Sequence, residues 1–60
     1  MKEECVDLLY EQFNRKYGGY VCIDREIVML FMADVDPALH SADNLYDYVL
    51  SNDLAYEVVE

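Results

Sequence analysis

Sixty residues carry thirteen acidic and four basic side chains, a formal net charge of −9 with a sequence pI near 4.1. That length holds one domain without a linker, and so anionic a field repels nucleic acid and acidic membrane while steering the chain toward basic surfaces. Of the residues, 55% are hydrophobic, yet a chain this short buries only about 60% of its unfolded surface, so a homodimer or a partner's surface is expected to cover the remainder.

The first element is a helix from about Lys2 to Lys16. Cys5, Val6, Leu9, Tyr10, Phe13 and Tyr17 form one continuous arc, with Glu3, Glu4, Asp7, Glu11 and Asn14 opposite, the pattern of a helix that faces a core. Glu3 and Glu4 suit the positive end of its dipole and Arg15 and Lys16 the negative end. Gly18 or Gly19 is expected to supply a left-handed cap. Because Met1-Lys2-Glu3-Glu4 leads straight into this pattern, no signal peptide is read there.

Tyr20–Ile23 reads as a short extended connector. The next stretch, Ile27 to Ala33, is apolar without interruption, which periodicity alone cannot assign to helix or strand. Its flanks favour a helix: Asp24 as N-cap, Ile23 and Val28 as a hydrophobic staple, and the helix formers Met29, Leu30, Met32 and Ala33. Apolar around nearly its whole circumference, it is expected to be enclosed by its neighbours. The alternative is a hairpin of Tyr20–Ile23 with Ile27–Met32, giving an α+β, helix–hairpin–helix arrangement; its turn lacks the Gly or Asn that tight hairpins favour.

Asp36 followed by Pro37 ends that helix and starts another. A third helix from Pro37 to about Leu50 would place Ala38, Leu39, Ala42, Leu45, Tyr46, Val49 and Leu50 inward. Asp36, His40, Asp43, Asn44, Asp47 and Ser51 would then face out, with Tyr48 the one large aromatic on the polar side. Asp53 would cap a last short helix, Leu54 to Val59. The fold class expected is all-α: a bundle of three helices plus a short C-terminal helix, the central helix buried.

No constellation for catalysis appears. The chain offers one histidine, the hydroxyls of Ser41 and Ser51, and two cysteines, without a nucleophile–base–orienter set or a phosphate-binding glycine loop. An enzyme is not expected, nor any cofactor. Cys5 and Cys22 are too few for a disulfide framework and read as buried, reduced thiols in a cytoplasmic protein. Asp36, His40 and Asp43 could share one helical face, but a single imidazole and two carboxylates do not make a metal cage, so no metal is assigned.

Charge distribution carries the functional reading. Residues 1–33 hold six acids and four bases, a net −2, whereas residues 34–60 hold seven acids and no base, a net −7. A plain solvated face explains the total but explains this asymmetry poorly. A ridge of Asp36, Asp43 and Asp47, continued by Asp53 and Glu57, would space carboxylates about 5–6 Å apart, close to the spacing of phosphates along a strand. Beside it, His40 and Tyr48 would complete a partner-binding surface, the tyrosine as an aromatic anchor. The expected function is inhibition or regulation of a protein with a basic, nucleic-acid-binding surface by imitation of its ligand's charge. By analogy of size and composition alone, such decoys are expected of phages and other mobile elements. Direct nucleic-acid or membrane binding is not expected. The competing reading is an antitoxin-like or adaptor module that binds through an apolar helical surface.

Overall fold

In the computed structural model, residues 3–54 are described, together with the backbone of 56–57. Three helices pack together: α1 (Glu3–Tyr17), α2 (Arg25–Asp34) and α3 (Ala42–Ser51), with a 3₁₀ turn at Pro37–Leu39 between the last two. The class is all-α. A minimal antiparallel ladder joins β1 (Val21–Cys22) to β2 (Tyr56–Glu57), pairing Val21 with Glu57 and Cys22 with Tyr56.

The core forms where one narrow stripe from each helix meets. Val6, Leu9 and Phe13 come from α1, Val28 and Phe31 from α2, and Leu45 and Val49 from α3, with Ile23 entering from the connector. Phe13, Val28, Leu45 and Val49 are fully buried, and no buried side-chain polar atom among the described residues lacks a partner. Around this centre the tyrosines tie elements together. Tyr17 stacks on Tyr46 with ring centroids 4.1 Å apart, and the Tyr10 hydroxyl donates to the Ile23 carbonyl at 3.2 Å. Arg25 reaches back to Asp7 at 2.6 Å, fixing the start of α2 against the first half of α1.

Five features depart from the expectations. The first is α2, which is not enclosed: Val28 and Phe31 are buried, but Leu30 is 51% and Met29 40% exposed. Two flanking helices in a chain this short cover one side of a third helix, not its whole girth. Asp24 occupies the N-cap with extended backbone, yet its side chain makes no capping bond; the Ile27 N–H is taken by the Asp24 carbonyl instead. The staple residues Ile23 and Val28 are both buried, so the entry of α2 is held by apolar packing.

The second departure is the third helix, which is broken. Asp36 caps only a 3₁₀ turn, accepting from the Ala38 N–H at 3.1 Å. Ser41 is the true N-cap of α3, its hydroxyl accepting from the Asn44 N–H at 3.1 Å, and the Asn44 amide reaches back to the Leu39 carbonyl at 2.8 Å. Ser and Asn compete for backbone groups in this way wherever a helix can start, and here that competition wins over continuation from Pro37.

The third is the chain's last element. Asp53 does not cap a helix; at φ 54 it is the left-handed residue that ends α3. The Leu54 N–H donates to the Val49 carbonyl at 2.9 Å and the Asp53 N–H to the Leu50 carbonyl at 3.3 Å, the two bonds of a Schellman motif. Leu54 packs on the core. The turn sends the chain back to β1, so 56–57 is strand where a helix was expected; residues 55 and 58–60 lie outside the described residues.

The fourth is the glycine pair. Neither glycine has positive φ. Gly18 is needed for another reason: a Cβ there would lie 2.3 Å from the Asn14 carbonyl oxygen, whereas one at Gly19 would meet nothing. The fifth is the pair of cysteines, which were expected inside and are both exposed and free. The buried line of α1 is narrower than the apolar arc of its sequence and passes Cys5 by, and in β1 Cys22 precedes the inward Ile23.

Candidate partner-binding surface

The break at His40–Ser41 decides how the expected acidic residues are disposed. Asp43 and Asp47 lie one turn apart on α3, but Asp36 belongs to a separate turn and spends its carboxylate on the Ala38 N–H. The continuous Asp36–Asp43–Asp47 ridge is therefore not assembled.

Asp43 is not an open charge. Lys16 donates to it at 2.6 Å, and the Tyr17 hydroxyl donates to the same oxygen. The hydrogen bond from Lys16, reinforced by that of Tyr17, holds the Asp43 carboxyl below its ordinary range; in return Asp43 raises both Lys16 and Tyr17. This cluster joins the end of α1 to the start of α3, a structural duty the linear sequence does not display.

His40 turns toward the body of the protein. Its Nε2 lies 2.8 Å from the Val35 carbonyl and its ring packs on Phe31 with centroids 5.5 Å apart. Since a carbonyl only accepts, Nε2 is the donor in this contact. Tyr48 is likewise no free anchor: it meets Phe31 edge-on at 5.2 Å, and burial, then the neighbouring Asp34 carboxylate, raise its hydroxyl above the ordinary tyrosine value. Its position on the wheel looked polar because the side it faces is filled by α2. Asp47 and Asp53 are exposed. Glu57 lies in β2, with its side chain outside the described residues.

The ion pairs give the surface its character. Arg15 pairs with Glu11 at 2.5 Å, Lys16 with Asp43 at 2.6 Å and Arg25 with Asp7 at 2.6 Å. Each cation among the described residues is thus held by a carboxylate of its own chain. Among the same residues no cation pairs with Asp34, Asp36, Asp47 or Asp53. Nor does any group of three or more His, Cys, Asp or Glu side chains gather there as metal ligands would, and the Asp36, His40 and Asp43 set is dispersed by the helix break.

A second feature was not foreseen. An open cleft of about 320 Å³ lies along α1, with Cys5, Leu8, Leu9 and Gln12 on one wall and Met32, Pro37 and His40 on the other. Leu8 is 57% exposed in it. The signal available in the sequence was Leu8 itself, an aliphatic residue outside the inward arc of α1 and one turn from both Cys5 and Gln12.

Comparison with protein-family models, curated proteins and solved structures gave no match. No helix among the described residues is long and apolar enough to cross a membrane.

Proposed function

We propose that this chain is a small acidic regulator that binds a protein through that protein's basic, nucleic-acid-binding surface and competes with the nucleic acid for it. The observation that carries this reading is the electrostatic self-sufficiency of its cations: each described lysine and arginine is consumed by an internal carboxylate, and four aspartates of residues 34–54 are left without a cationic partner among the described residues. Such a surface gains most from a cationic receptor, where desolvated charge pairs and counterion displacement both favour association. Asp47 and Asp53, exposed and carried on α3 and its hydrogen-bonded C-terminal turn, are the contact residues we assign. The reading extends to a cytoplasmic protein of phage or mobile-element type, and to a homodimer formed through the exposed Met29 and Leu30 of α2.

The test is capture of the target from a host lysate, identification by mass spectrometry, and a gel-shift competition in which the purified chain displaces nucleic acid from that target. Asp47→Asn with Asp53→Asn should slow association several-fold and flatten its dependence on ionic strength. A target that retains its nucleic acid in the presence of saturating chain would refute the proposal.

The adaptor reading draws on a different observation, the cleft around Leu8. It predicts a complex indifferent to salt.

A further inference from the structure

We infer that the cleft between α1 and the 3₁₀ turn receives an amphipathic, basic helical segment of the partner, its apolar side chains seated on Leu8 and Met32 and its lysines or arginines on the acidic rim. This rests on the proposed function and specifies the partner's chemistry at a second part of the contact surface.

The floor and rim differ in kind. Inside, the cleft presents Leu8, Leu9, Met32 and Pro37, and its volume of about 320 Å³ lies at the lower end of the range for built ligand pockets, roughly 300–1,000 Å³. That is room for apolar side chains one helical turn apart, the spacing by which amphipathic helices engage grooves. Met32 adds an adaptable wall, since an unbranched thioether repacks around different anchors. At the edge the charge is one-sided. Glu4 is exposed on α1, four residues before Leu8, and so flanks it on the helix surface. Asp36 is exposed immediately before Pro37 on the facing wall. Among the described residues the cation nearest to Leu8 in sequence, Arg15, is already held by Glu11. An apolar floor bordered by carboxylates from both walls complements a helix with a leucine stripe and basic flanks. It disfavours a second copy of this chain, which would bring its own charge of −9 to that rim.

The probe is a synthetic helical peptide with leucines at i and i+4 and lysines and arginines on either side. Two controls accompany it: the same peptide with leucines changed to serine, which keeps the charge, and one with the basic residues changed to glutamate, which keeps the leucines. We expect the parent peptide to bind the full chain and to shift the amide resonances of Cys5, Leu8, Gln12, Met32 and His40. Both controls should bind at least tenfold more weakly. Leu8 is more than half exposed, so Leu8→Ser should leave the melting temperature nearly unchanged while weakening the parent peptide at least tenfold.

If the serine control binds as well as the parent and perturbs α3 alone, the cleft inference fails while the charge-based function stands. If the glutamate control binds as well as the parent, the basic partner is refuted at this site. Sedimentation that shows a dimer broken by Leu8→Ser would mean that a second copy fills the cleft, and would also overturn the inference. Should the peptide seat as expected but the captured target keep its nucleic acid, the failure belongs to the proposed function and not to the cleft.

Discussion

Asp43 shows how one residue can look like a binding group and serve as a structural tie. Its carboxylate receives Lys16 and Tyr17 from the far end of α1, and the resulting depression of its pKa means that its contribution to stability is present above the ordinary carboxylate value and disappears as pH falls through the depressed one. Thermal melts of Asp43→Asn should therefore lie below those of the native chain at neutral pH and converge with them in acid. A difference constant across pH would show that the tie is not electrostatic. At the alkaline end the sign reverses. Lys16, Tyr17 and Tyr48 all hold their protons more tightly when folded, so the stability they confer is complete below their unfolded values and is lost as pH rises through the raised ones. Tyrosinate absorbance should accordingly show Tyr17 titrating late because of its hydrogen bond to Asp43 and Tyr48 titrating late because of burial beside Asp34. A single common titration for all the tyrosines would contradict both environments.

At the scale of elements, the stop after Leu39 and the restart at Ser41 determine which way α3 points its side chains. One hydroxyl accounts for much of it. Ser41→Ala removes the acceptor of the Asn44 N–H and should cost about 1 kcal/mol, a fall of roughly 4–8 °C in melting temperature for a domain of this size. Ser51, exposed in the last turn of α3 and not a cap, is the control: Ser51→Ala should move the melt little. Equal losses from both would mean that α3 does not depend on its cap. The end of α3 illustrates the same point. An aspartate takes the left-handed position that glycine more often fills, because Leu54 gains a place on the core by following it. The glycine actually demanded by geometry, Gly18, is set by the proximity of the Asn14 carbonyl rather than by handedness.

The whole molecule balances a small core against a large charge. Phe31 lies at the centre of that core, touching both His40 and Tyr48. Phe31→Ala should cost about 3–5 kcal/mol, comparable to all that a core of this size supplies, so the far-ultraviolet helical signal should be lost near room temperature. A variant that still melts cooperatively close to the native temperature would show that Phe31 is not central. Met29 and Leu30, on the outer side of the same helix, should tolerate alanine with little loss of monomer stability, and sedimentation of that double variant would reveal whether this face joins two copies.

Residue order alone settled where α1 runs and that charge accumulates in the second half, and it favoured a helix opened by Asp24 over a hairpin, since these depend on neighbours within a turn or two and on simple addition. Folding decided the rest. Only packing could determine which half of α2 meets protein, that Ser41 and not Asp36 starts α3, that Cys5 and Leu8 border a cleft, and that Lys16 reaches Asp43 from 27 positions away. Local preference fixes the phase of a helix within itself. The phase of one helix against another is set by contacts between residues distant in sequence, and those contacts here turned an apparent ridge of aspartates into a cap, a tie and an open charge.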